Sequence, residues 1–266
     1  MENTLNIVNN LFRGLNPLGP PSFISDKESA SESASPSSPS MAKNDEKQKI
    51  EDEEKSAILS CIQQRRSIFP RSYDADGETV DRATIETLLN AAHCAPYHGT
   101  KQPWRFVVLG KKSMVEMQHL TLDYYEKDDR WRKESWGCEK KIGDETLYRK
   151  WRDVTRDEIE GRWGPVSYMI AIVMRRQAGR KRIPEWEEMC ATACAVQNMH
   201  IQASTDPNLA CYWSSWHSKA RDSEEMKEFL EMEDEDKCLG FFIVATTKKR
   251  FTKRPLRTRP STEWRE

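Results

Sequence analysis

The stretch Ala91 to Leu109, AAHCAPYHGTKQPWRFVVL, constrains the fold of this chain more than any other. Pro96 cannot continue the helical pattern that runs through Ala91 and Ala92, so the chain must break there. A polar turn carrying His98 and Gln102 follows, and the apolar run Phe106 to Leu109 predicts a short buried strand. Upstream, Asp81 is placed to cap a helix over Arg82 to Ala92 whose Ile85, Leu88, Leu89 and Ala92 share a face. Earlier still, Ile50, Ala57, Ile58, Cys61 and Ile62 keep helical spacing over Lys47 to Arg65 and stop at Arg65-Arg66-Ser67.

The same reading continues downstream. It predicts a helix over Lys111 to Tyr125, strands over Tyr168 to Met174, Leu209 to Trp213 and Cys238 to Ala245, a buried helix over Glu185 to Ala203, and a helix over Asp222 to Met232. Between residues 126 and 163 charge dominates, with Trp131, Trp136, Trp151 and Trp163 interspersed. That pattern reads as a helical insertion whose tryptophans pack on the core, in preference to a lid or a partner surface. The order is α+β, with helices around one mostly antiparallel sheet. Residues 1–45 read as a disordered or targeting segment, with SESASPSSPS at the centre of a stretch too polar to form a core. Residues 46–250 form the folded domain, and 251–266 a basic C-terminal arm.

Composition removes several classes of function. With 42 basic and 43 acidic residues the chain has no global field to attract nucleic acid or an anionic membrane. No apolar run reaches the ~20 residues needed to span a bilayer. The start has no secretory h-region, so a cytoplasmic or organellar protein is expected, not a secreted one. Seven cysteines without a CxxC motif indicate a reducing compartment. Cys190 and Cys194, at i and i+4, are expected to be buried structural thiols and not metal ligands, and no metal site is predicted. GxGxxG, Walker and GxSxG patterns are all absent, which argues against a glycine-loop nucleotide site and against hydrolase chemistry. The run KKRFTKRPLRTR divides evenly between a solvated arm and a role in phosphate binding or dimer docking.

What remains is a set of groups suited to a flavin. An isoalloxazine ring needs an apolar floor, an amide for its polar edge, and fixed positive charge where reduction deposits negative charge. Trp104, Gln102 and the Arg65-Arg66 pair are of those types. Their order resembles the nitroreductase family: RRSIF, then AAHCAPYHGTKQPW, then RFVVL, followed by IPEWEEMCATACAVQNMHIQA as the long central helix, YWSSW as the next strand and KCLGFFIVAT as a late strand. The resemblance covers roughly Ile50 to Thr247.

That resemblance implies a nitroreductase-like fold, bound FMN, NAD(P)H as a transient electron donor, and a homodimer with FMN at the subunit interface. It implies ping-pong reduction of a small-molecule acceptor such as a nitroaromatic, a quinone or a similar electron-poor compound. Residue by residue, it assigns Arg65, Arg66 and Ser67 to FMN, His98 and Gln102 to the flavin as residues of the turn after Ala95-Pro96, and Trp213, Ser214 and Ser215 to a strand end against the ring. Trp104 is expected to pack beneath the turn. No protein acid, base or nucleophile is assigned. The chain departs from the family in three places: Cys94 and Ser214 stand where some relatives carry Arg, and Asp206-Pro207-Asn208 replaces the glycines that often precede that strand. Two alternatives stay in view: a specialised reaction of the same fold such as reductive dehalogenation, and a flavin-binding protein without turnover, to which the Cys94 and Ser214 departures point.

Overall fold

In the computed structural model the described residues are 57–99, 101–127, 130, 145–161, 163–179, 182–253, 255–258 and 260–265. The chain divides into two compact units, Met1–Gln63 and Gln64–Glu266. Of the first, only residues 57–63 are described, and they are helical, within the predicted first helix. The segment 1–45 and the tryptophans Trp131 and Trp136 lie outside the described residues.

The second unit contains α1 (Arg82–His93), β1 (Trp104–Leu109), α2 (Lys111–Glu126), α3 (Glu145–Gly161), β2 (Val166–Met174), α4 (Glu185–Ala203), β3 (Leu209–Ser214), α5 (Ser218–Arg221), α6 (Glu224–Phe229) and β4 (Lys237–Thr246). The strands form one sheet in the order β1-β2-β4-β3, with every neighbouring pair antiparallel. This is the expected α+β architecture.

The central strands β2 and β4 are buried almost throughout. Helices cover both faces of the sheet, which is why these strands read as continuous apolar runs and not as alternating ones. Ile170, Ile172, Phe242 and Val244 face α1 and α4, while Met169, Ala171, Val173 and Ile243 face Met114 and Met117 of α2 and Met226 of α6. Trp163, from the end of the charged insertion, is buried in the second of these layers, and Ile159 of α3 is fully buried with Tyr124 and Tyr125.

Local signals act as predicted at several junctions. The Asp81 carboxylate accepts from the Thr84 amide at 2.6 Å and starts α1. The helix expected over Asp222 to Met232 is shorter, covering only Glu224–Phe229, and α5 precedes it as a separate turn of helix. Ser223 divides the two by capping α6, its hydroxyl accepting from the Met226 amide. Before β3 the turn is built on Asp206, whose carboxylate accepts from the Asn208 amide at 2.8 Å, so no left-handed residue is needed between 206 and 208.

Cys190 and Cys194 are exposed, contrary to expectation. The face of α4 that meets the core carries Ala191, Thr192, Ala195, Val196 and Met199. The 100° helical step then turns positions 190 and 194 to the opposite side. There they continue a stripe at Trp186, Met189, Cys190, Ala193, Cys194 and Gln197. Trp186 in that stripe is 64% exposed.

Candidate functional site

The expected site residues fall into three groups. The first is Arg65-Arg66-Ser67, which runs beside β3: the Ile68 amide donates to the Cys211 carbonyl at 3.0 Å. Arg65 Nη1 lies 3.4 Å from His200 Nδ1, and His200 Nε2 donates to the Arg66 carbonyl at 3.0 Å. Arg66 turns to the C-terminal arm, where its guanidinium bonds the Lys253 carbonyl and covers the Phe251 ring at 4.6 Å. Arg257 donates to the Arg65 carbonyl at 2.8 Å. Ser67 is exposed, and its hydroxyl has no hydrogen bond among the described residues.

Charge in this group is unbalanced. Arg65 is half-buried, and burial followed by repulsion from Arg257 lowers its pKa. Among the described residues no carboxylate pairs with either guanidinium, so two neighbouring cations have no counter-ion there, and Ser67, two residues on from Arg65, has an unbonded hydroxyl. An anion with several oxygen acceptors matches that donor set.

The second group lies around the turn before β1. Trp104 is buried beneath it, as expected, with Tyr97 packed edge-on at 5.6 Å and the indole N–H 3.4 Å from His93 Nδ1. The His98 side chain is 87% exposed and its Nδ1 lies 3.4 Å from a carboxylate oxygen of Glu187, in the first turn of α4. Gln102 is half-buried, and its amide makes no hydrogen bond among the described residues. Its donor and acceptor are both available to a ligand.

The third group closes β3. The Trp213 indole donates to the Leu239 carbonyl at 2.9 Å, and the Ser214 hydroxyl accepts from the Trp216 amide at 3.1 Å. Ser215 is exposed, and its carbonyl accepts from Arg221. Gly240 shapes this end of the site. It occupies a bulge in β4 at φ +114, and a Cβ there would stand 2.2 Å from the Ser214 carbonyl oxygen and 3.0 Å from the Trp213 indole nitrogen. Only glycine lets the end of β3 approach so closely.

One chain does not bring all three groups together. Groups one and three share the β3 edge, whereas the turn with His98 and Gln102 precedes β1 at the other edge, three strand spacings or about 14 Å away. Along α4 the separation is larger. Glu187 beside His98 and His200 beside Arg65 are separated by about 20 Å of helix. A recess of about 380 Å³ lined by Phe69, Pro70, Arg71 and Tyr212 adjoins β3, and none of the expected site residues lines it.

Two features of the site are absent from the sequence reading. His200 is buried, and its pKa is pushed down to about 4, first by burial and then by the Arg65 charge, so it is neutral at pH 7. A histidine between Met199 and Ile201, near the end of a helix expected to be buried, was the available signal. The arm residues Phe251 and Arg257 lie against the arginine motif, and only their basic and aromatic composition pointed there.

The sequence profile of the nitroreductase family matches residues 62–246. The chain belongs to the nitroreductase family. This family is one of flavin-dependent oxidoreductases, and the match spans every expected site residue. Solved structures share its fold. A nitroreductase with bound FMN from Bacteroides fragilis superposes with a TM-score of 0.54 at 17% identity, covering 78% of this chain and 98% of that one. A BluB-like flavoprotein from Clostridium difficile gives a TM-score of 0.54 at 15% identity, covering 76% and 94%. An FMN- and NADPH-dependent nitroreductase from Sphigopyxis sp. strain HMH gives 0.50 at 18% identity, covering 72% and 88%. Among the described residues no helix of this family member is long and apolar enough to cross a membrane.

Proposed function

We propose that this chain is an FMN-dependent oxidoreductase that takes electrons from NAD(P)H and passes them, in a ping-pong sequence, to a nitroaromatic, a quinone or a similar electron-poor acceptor. The observation that carries this reading is the pair Arg65 and Arg257, two adjacent guanidiniums with no carboxylate partner among the described residues, with the exposed Ser67 two residues on from Arg65. That donor set fits the phosphate of FMN. When bound, FMN supplies the reversible hydride and electron chemistry that no side chain of the protein provides.

The protein's own groups bind and orient. Arg65, Arg66 and Ser67 hold the phosphate or the pyrimidine edge, with Arg66 acting from its seat on Phe251. The Gln102 amide and the neighbouring His98 face the polar edge of the ring, and Trp213, Ser214 and Ser215 line its other side. Hydride transfer depends on positioning more than on a protein acid, and solvent supplies protons to the exposed turn.

The working unit is a homodimer with FMN at the interface. The stripe on α4 from Trp186 to Gln197 lies between the His98 end and the His200 end of the helix. Two copies packed antiparallel along it would bring the Arg65 group of one protomer to the Gln102 group of the other, twice, as a twofold interface requires. This supports the dimer reading because it reunites groups that one chain holds about 20 Å apart.

The test is direct. Purified full-length protein, reconstituted with FMN, should be yellow and should bleach on addition of NADPH or NADH under argon. Colour without bleaching would favour a binding protein without turnover, a reading for which Ser214 speaks, since its hydroxyl accepts from the Trp216 amide. Failure to take up FMN would remove both readings.

A further inference from the structure

We propose that the Gln177 side chain, backed by the buried carboxylate of Glu188, is the positioning group that fixes the Gln102 amide. This inference rests on the reading that Gln102 contacts the flavin. Gln102 has no hydrogen bond of its own among the described residues, so its place is set by its neighbours. On one side the Lys101 carbonyl accepts a hydrogen bond from the Gln177 side-chain amide. On the other the Pro103 carbonyl accepts from the Arg175 amide at 2.7 Å. Gly99, at φ +139, lies against the same glutamine, for a Cβ there would stand 3.6 Å from Gln177 Oε1. The segment leaving β2 thus grips the turn before Gln102 and the residue after it.

That segment is itself anchored. The Gln177 backbone amide donates to Glu188 Oε1 at 3.0 Å, the Arg176 guanidinium pairs with Glu188 Oε2, and the Arg176 backbone amide donates to Asp236 Oδ1 at 3.0 Å. The Glu188 side chain is 0% exposed and that of Arg176 8%. A carboxylate buried so deeply is tolerated only when both oxygens are satisfied, and such a pair adds little net stability over apolar packing. Its consequence is geometric: Glu188 locks the backbone from which the Gln177 side chain reaches the turn. Because α4 also carries Glu187 against His98, the first two turns of that helix hold the turn on both sides.

The experiment uses full-length protein and four forms: wild type, Gln177→Ala, Gln102→Ala and the double variant. Each is titrated with FMN by fluorescence, the absorption spectrum of the bound flavin is recorded, and thermal unfolding is measured without FMN. Loss of one positioning hydrogen bond should raise the Kd of Gln177→Ala roughly three- to tenfold. The flavin band should move in the same direction as in Gln102→Ala, while the unfolding midpoint of the FMN-free protein stays where it is. In the double variant the Gln177 effect should vanish, because it acts through Gln102. Losses that multiply in the double variant, or a wild-type Kd and spectrum in Gln177→Ala beside a changed Gln102→Ala, would overturn the proposal. A Gln102→Ala protein that binds FMN with wild-type affinity and spectrum would instead overturn the flavin contact itself, and the positioning role with it.

Discussion

Arg65 Nη1 lies 3.4 Å from Nδ1 of His200, and this contact joins the N-terminal arginine motif to the far end of α4. Because Nε2 of the same ring donates to the Arg66 carbonyl, Nδ1 is left as the acceptor, and a neutral imidazole suits both partners. A protonated ring would place a second cation against Arg65 in a buried site.

Stability should therefore fall with acid in a defined window. The fold lowers the His200 pKa from 6.5 to about 4. Between those values the unfolded chain binds a proton that the folded chain refuses, so the His200 contribution to stability rises with pH up to about 6.5 and is flat above it. The full effect is roughly 3 kcal/mol. Urea unfolding of His200→Gln, compared with wild type at several pH values in this window, should show a shallower dependence. Parallel curves would show that His200 titrates normally.

Gly240 makes a second, independent prediction. With φ at +114 and the Ser214 carbonyl oxygen 2.2 Å from where a Cβ would sit, Gly240→Ala strains the backbone and pushes on the end of β3 at once. A loss of about 2–4 kcal/mol is expected, together with weakened FMN binding through Trp213 and Ser214. Chemical denaturation measures the first effect and FMN titration the second. An unchanged denaturation midpoint would mean that the bulge relaxes freely.

Much of this architecture is legible before any coordinates. The Asp81 cap, the break at Pro96 and the apolar runs of β2 and β4 are local signals, and each acts where it stands. The exposure of Cys190 and Cys194 was not legible, because a cysteine carries no polarity signal and the buried face of α4 is chosen by tertiary packing. The start of α6 at Ser223 is not legible for a related reason: a capping serine in a charged run looks like part of the helix it begins. The residue types of the site were readable in order. Their separation to opposite edges of the sheet was not, since strand order is set by topology and not by any one motif.

The dimer reading can be checked at the α4 stripe. Sedimentation at micromolar concentration should show two copies of the full chain, and Trp186→Asp combined with Met189→Asp should shift the protein to monomer. Because both substitutions fall on exposed positions, the fold should survive. FMN affinity should drop with the dimer. A monomeric variant that binds FMN as tightly as wild type would contradict an interface site.

Gln102→Ala should separate binding from chemistry. A neutral amide bond contributes only about 0.5–1.5 kcal/mol to FMN affinity. Its contact with the ring polar edge should still tune reduction, so turnover at saturating FMN is expected to fall by a larger factor than affinity. Stopped-flow reduction by NAD(P)H measures this. Equal losses in both would indicate that Gln102 only holds the cofactor in place.

Binding of FMN by the Arg65-Arg66-Ser67 segment is checked by fluorescence titration of FMN into wild type and Arg65→Ala. Charge-assisted bonds from Arg65 are worth roughly 1.5–3 kcal/mol, so the variant should bind about ten- to a hundredfold more weakly. Wild-type affinity in Arg65→Ala would contradict a phosphate-binding role, because the guanidinium would then serve only its contact with His200.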